Sequence, residues 1–205
     1  KKMAINSNVS EFLQKIKQGV KPNMFLVNIA FPGTLAKGNS DTDLTNILCK
    51  SAALPASNLG VIEVPFRGRS VKISGDRTFD TWTATFVNDE DMRIRAFFEQ
   101  WSAYINSHDG NTSTLFKPET SGSGYMATLE VNQLEKDATT QGNVIRKYKL
   151  FHAFPSSISQ IDLAYDSNDQ VSEFTVEFQL SYWTAESGAA AGSNPPDTTP
   201  VLATV

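Results

Sequence analysis

The stretch "RGRSVKISGDRTFDTW", residues 67–82, sets Arg67, Arg69, Lys72 and Arg77 among Gly68, Gly75 and Asp76. Cations interleaved with glycines suit three kinds of chemistry: a phosphate cradle, a nucleic-acid groove, or a docking edge between copies of one chain. A cradle needs a tight glycine loop opening a helix, with a Gly-Lys-Ser/Thr triplet. Residues between Gly68 and Gly75 instead alternate like a strand, and no such triplet follows. A groove draws its affinity from neutralised phosphates, yet 18 Lys and Arg stand against 22 Asp and Glu, a net charge of −4. The docking edge remains, with planar guanidinium groups pairing acids within or between copies. On this reading Arg67, Arg69, Asp76 and Arg77 are the candidate inter-subunit residues.

The rest of the reactive inventory is thin. Asp76, Asp80, Asp89 and Asp91 flank turns and a helix start, where capping explains a carboxylate more simply than acid/base work. His108 and His152 are the only histidines and Cys49 the only cysteine, which rules out an internal disulfide and makes a poor metal set. Cys49 lies in the apolar run "LTNILCKSAALP", the setting of a buried, inert thiol. His152 sits inside an apolar strand pattern, and neither a Gly-x-Ser-x-Gly elbow nor a His-Glu-x-x-His helix occurs. The expectation is a protein that is not an enzyme and uses no cofactor or metal. Trp82, Trp101 and Trp183 keep a carbohydrate-binding β-sandwich open as a different class, although Trp101 falls on a helical apolar stripe. No apolar run approaches the roughly 20 residues that span a bilayer, and the start lacks the apolar stretch of a signal peptide. Neither a membrane nor an export route is expected.

Positioning these residues falls to elements of two periods. Val9, Phe12, Leu13 and Ile16 recur at helical spacing within 9–18, with Ser10 a possible cap and Gly19 a stop. "NMFLVNIAF" at 23–31 reads as a strand closed by Pro32-Gly33. The long connection 32–58 suggests a segment that contacts partners rather than its own core. Strand patterns at 59–66, 69–74 and 78–87, split by glycyl turns, read as an antiparallel meander. The period then changes over 89–106, where Ile94, Phe97, Phe98, Trp101, Tyr104 and Ile105 share one helical face. Asn88 is placed to cap that helix, and Asp89, Glu90 and Asp91 suit its positive end.

After a Gly/Ser-rich loop at 118–124, strands are expected at 125–135, 143–154, 158–165 and 170–184, with "DSND" at 166–169 as a turn. In the last strand Phe174, Val176, Phe178, Leu180 and Tyr182 alternate with Glu173, Thr175, Glu177, Gln179 and Ser181. That is one buried face and one wet face. The fold class is therefore mainly β (α+β), antiparallel strands with one helix lying across an apolar sheet surface. Domain organisation reads as an N-terminal arm (1–22), a β domain (23–184) and an extended C-terminal arm (185–205).

Two blocks carry a family resemblance. "VIEVPFRGRSVKISGDRTFDTWTATFVNDEDMRIRAFFEQW" and "YKLFHAFPSSISQIDLAYDSNDQVSEFTVEFQLSYW" resemble, in order and over residues 20–184, the tail tube proteins of contractile-tailed bacteriophages. The resemblance implies two packed antiparallel β-sheets, sandwich- or barrel-like, with one flanking helix, in a structural virion protein assembled in the host cytoplasm as homohexameric rings that stack into a hollow conduit for genome delivery. It also implies sheath, baseplate, tape-measure and terminator proteins as partners, with DNA passing through unbound. The tube of a phage-like contractile injection particle and a baseplate-tube junction are the related alternatives. On this reading Glu173, Thr175, Glu177 and Gln179 line the lumen, since an acidic face poor in aromatics denies nucleic acid a grip.

Overall fold

The computed structural model describes residues 9–16, 19–32, 45–113, 124–135, 144–165 and 170–187. The loop at 118–123, the "DSND" turn and the tail from 188 lie outside the described residues, as does most of the connection's first half, 33–44. Within them the order is α1 (Val9–Ile16), β1 (Phe25–Ile29), β2 (Cys49–Ala52), β3 (Asn58–Phe66), β4 (Arg69–Thr78), β5 (Trp82–Val87), α2 (Arg93–Ile105), β6 (Ala127–Leu134), β7 (Val144–Ile158), β8 (Glu173–Gln179) and β9 (Tyr182–Ser187).

Seven strands make one antiparallel network, ordered β1-β6-β7-β8-β5-β2 with β9 added to β7. The 15-residue β7 belongs to two layers. Its residues up to Ala153 pair with β6 and β9, and Phe154–Ile158 pair with β8. The strand turns between these partners at His152, whose φ of 55° lies in the left-handed region, beside a register shift against β6. Pro155 does not end the strand, because it lies at a second shift against β8 where its missing N–H is tolerated.

The core lies between the layers and under α2. Val27, Ile29, Leu129, Val131 and Leu150 come from one layer and Trp82, Phe86, Phe174, Val176 and Phe178 from the other. Of the expected stripe, α2 buries Ile94, Phe98 and Trp101 and leaves Phe97, Tyr104 and Ile105 half-buried. Phe98 reaches Phe86 at 5.3 Å and Phe178 at 5.9 Å between ring centroids, and Trp101 donates its indole N–H to the Tyr125 carbonyl at 2.7 Å. Tilted and edge-on contacts of this kind add to simple burial.

The helix begins four residues later than expected, and its cap differs. The Asp89 carboxylate, not Asn88, accepts the Arg93 backbone N–H at 2.8 Å and the Arg93 guanidinium at 2.9 Å. Desolvation pushes the Asp89 carboxyl up, but the Arg93 hydrogen bonds and charge outweigh it and hold the group below its ordinary range. Asn88 is spent elsewhere: its side-chain amide donates to the Ser172 hydroxyl at 2.5 Å, and its backbone N–H to the Ser172 carbonyl.

Two expected strands are corrected. Residues 160–165 form no strand. After Ile158 the Ser159 hydroxyl accepts the Thr175 N–H at 2.8 Å, taking the place the next ladder partner would hold, and the chain peels away with Tyr165 fully exposed. The expected strand 170–184 is two strands with a break at 180–181. β8 stays on β5 and β7, whereas β9 moves to the other layer beside Arg146–Phe151. Side-chain parity inverts across this corner, so Ala185 is buried and Tyr182 is not.

Candidate functional site

β3 and β4 form a separate two-stranded sheet, a hairpin closed by Arg67 and Gly68, both at positive φ. Every residue of β3 is exposed. Register places Ile62 opposite Ile73, Val64 opposite Val71 and Phe66 opposite Arg69, so these apolar side chains share one face. They are 42–61% exposed. The other face carries the Glu63–Lys72 ion pair at 3.5 Å, flanked by Ser70 and Ser74. Among the described residues nothing covers this apolar face, and a two-stranded ribbon left in water is marginally stable at best.

At the hairpin base the register shifts between Leu59 and Val61. There Gly60 and Gly75 bring the backbones together: a Cβ on Gly75 would stand 3.2 Å from the Gly60 carbonyl carbon, and one on Gly60 3.1 Å from the Asp76 oxygen. Glycine at this crossing gives close approach rather than dihedral freedom, since a side chain there would press on the opposite backbone. The opening motif is thus a bulged hairpin, not a loop opening a helix.

The structure disperses the four basic and acidic candidates along this ribbon. Arg67 caps the tip with its guanidinium 5.4 Å from the Phe66 ring centre, and Arg69 follows it on β4. Asp76 lies at the base crossing. Arg77 donates to the Ser57 hydroxyl at 3.1 Å. Lys72 pairs within the hairpin, and the nearby Asp89 and Asp91 are engaged by Arg93.

A second surface is the wet face of β8 and β5. Glu173, Glu177 and Gln179 are exposed and Thr175 half-buried, the alternation expected. Across the register, Thr83 stands opposite Glu177 and Thr85 opposite Thr175. The Thr85 and Thr175 hydroxyls bond each other at 3.1 Å. Sequence reasoning missed Lys50, which reaches across the end of β5 to donate to Glu173 at 2.5 Å. The bulge in β2 between Cys49 and Ser51 frees it to do so, and nothing in its sequence context signals a partner 123 positions away. Glu173 is therefore largely neutralised, and Glu177 carries the net charge of this face.

The remaining candidates fall to structural roles. Burial pushes the Cys49 thiol up to about 12, outweighing the opposing pull of a backbone hydrogen bond at Ser51, so it is not a nucleophile at neutral pH. Trp82 and Trp101 are buried, and Trp183 donates its indole N–H to the Ala56 carbonyl at 2.9 Å. The three rings share no exposed platform, which removes the sugar-stacking reading. Trp82 likewise donates to the Ala53 carbonyl at 2.6 Å. Together with Leu48, Cys49 and Ala52 packed on the core, this ties residues 48–56 to their own subunit, correcting the expectation that the whole connection 32–58 faces partners. Among the described residues no cluster of three His, Cys, Asp or Glu could hold a metal ion, and no helix is long and apolar enough to cross a membrane.

Comparison with known proteins gives this geometry a context. A family described as "Phage tail tube protein" matches residues 20–186. The chain is 33% identical over 163 residues to the tail tube protein gp19 of Enterobacteria phage T4, covering 80% of this chain and 90% of that one. It is 27% identical over 184 residues to the tail tube protein of Serratia phage KSP90, covering 88% and 97%. Among solved structures, the fold is similar to a chain of an extracellular contractile injection system, PVC, in its sheath/tube terminator assembly, with TM-score 0.53, 15% identity and coverage of 82% and 96%.

Proposed function

The chain belongs to the phage tail tube protein family, and from that premise we propose that it assembles into homohexameric rings stacked as the hollow tube of a contractile phage tail. The observation that carries this reading is the β3–β4 hairpin: a long ribbon whose apolar face no described residue covers marks an interaction surface, which neighbouring copies of the chain would cover. Its charges serve register. Arg67 and Arg69 at the tip, with Asp76 and Arg77 at the base, meet complementary groups of neighbouring copies. Exposed ion pairs are worth about 0–1 kcal/mol each, so they align repeated contacts rather than supply most of the energy. β1 and β2 end the hydrogen-bonded path and β9 pairs with β7 alone; ring closure covers such edges, which otherwise invite irregular association.

In this assembly Glu173, Thr175, Glu177 and Gln179 line the bore. Thr85 and Thr175 on that face bond each other, and Lys50 is held by Glu173. Among the described residues of this face, a phosphate backbone sliding past meets no free cation and no ring to stack on. Repulsion from Glu177 reaches about 8 Å at physiological salt, enough to deny adhesion without driving transport. The protein acts as a conduit and catalyses nothing. Sheath, baseplate, tape-measure and terminator proteins are its partners in the virion, and DNA passes through it.

Negative-stain imaging of the purified protein tests the proposal. Rings or hollow rods are expected; monodisperse monomers at every concentration would contradict it.

A further inference from the structure

The subunit has a second unpartnered apolar face. In α1, Val9, Phe12, Leu13 and Ile16 stand at i, i+3, i+4 and i+7, one stripe along a helix that buries none of its residues. These side chains are 46–74% exposed. An eight-residue helix is too short to persist on propensity alone. Gly19 at φ 65°, whose N–H bonds the Ile16 carbonyl at 2.9 Å, ends it before β1. The family match begins at residue 20, so α1 lies outside what the family profile describes, whereas the hairpin lies inside it.

We propose that the apolar stripe of α1 docks on the apolar face of the β3–β4 hairpin of a second copy of this chain. The dimensions correspond. Eight helical residues span about 12 Å, and the hairpin face from Ile62 to Phe66 spans about 13 Å at strand rise, two strands wide. Neither rim opposes the contact: Glu11 pairs with Lys15 on the helix at 2.7 Å, and Glu63 with Lys72 on the far face of the ribbon. Each copy offers one helix and one hairpin, so a heterologous contact satisfies every interior copy of a repeating assembly. A footprint of roughly 12 by 10 Å is far below the ~800 Å² per partner of a free-standing complex. The contact therefore forms only where other contacts already hold copies together, and in that respect it rests on the tube reading.

Paired single-cysteine variants test this. Leu13→Cys and Val64→Cys chains carrying different tags are co-expressed, assembled and treated with a short bismaleimide. Native Cys49, half-buried and with its thiol pKa pushed up to about 12, is present in every chain, and the protein carrying it alone serves as the background control. Assembled particles are expected to yield heterodimers joined between residues 13 and 64, at least tenfold above the signal from the same chains diluted to single subunits. A doubly substituted chain that links only to itself would overturn the second-copy assignment. Wild-type rods whose variants assemble without the 13–64 product would overturn the docking alone. Absence of rings and rods from the wild-type protein would overturn the tube reading together with it.

Discussion

Val64→Asp separates folding from assembly. Val64 is 42% exposed on a hairpin that contributes nothing to the subunit core, so the isolated subunit should lose no more than about 0.5 kcal/mol, the usual range for a surface change. In the assembly the same position is covered. Burying the rest of the valine recovers about 1 kcal/mol of the roughly 2 kcal/mol that a fully buried valine yields. An unpaired carboxylate in its place adds a desolvation cost of several kcal/mol. A loss of about 3 kcal/mol per contact corresponds to roughly a hundredfold weaker association, at 1.4 kcal/mol for each tenfold. Two measurements read this out: the urea midpoint of the dissociated subunit, expected unchanged, and the critical concentration for sedimentable particles, expected to rise about a hundredfold. Val64→Asp particles forming at the wild-type concentration would refute the argument that the hairpin's apolar face is an interface.

Three further outcomes are expected. Trp101→Ala should cost about 3–5 kcal/mol in urea unfolding, because the ring is fully buried among Phe31, Phe98 and Phe178; a loss below about 1 kcal/mol would contradict the packing. Asp89→Ala should cost about 1 kcal/mol near neutral pH, because the Arg93 backbone N–H in the first turn of α2 loses its carboxylate acceptor. Since Arg93 depresses the folded-state pKa of Asp89, that contribution is present above the unfolded pKa and disappears as pH falls through the folded one, so wild type and variant should converge in acid unfolding. Replacing Glu173 and Glu177 by lysine frees Lys50 and reverses the sign of the face; assembled particles should then bind DNA with a salt slope steeper by about 0.9 for each phosphate neutralised, and DNA affinity equal to wild type would argue against a bore-lining role.

The parts of the fold legible in the sequence are those whose environment lies within one element. The stripe Ile94, Phe98, Trp101 marked α2 because large apolar residues on successive turns of one face have one physical explanation, and the Phe174-Val176-Phe178 alternation marked β8 for the same reason. Partner choice was not legible. Apolar alternation at 59–73 looks like a half-buried strand, yet it exposes that face in the subunit, since periodicity records that a face is to be covered and not by which chain. The corner at Leu180–Ser181 inverts parity because β9 changes layers, and no residue type there announces it. Lys50 escaped for a similar reason: its partner is fixed by a bulge and by sheet order. The four candidates Arg67, Arg69, Asp76 and Arg77 were picked by type, and their spread from tip to base follows from the register alone.

A cryo-EM reconstruction of the assembled particle tests the central claim most directly. The account predicts a hollow sixfold tube in which the hairpin face of Ile62, Val64 and Val71 is buried against another copy and the Glu177 carboxylate points into the bore. A particle with the hairpin's apolar face in solvent, or with Glu177 on its outer wall, would contradict it.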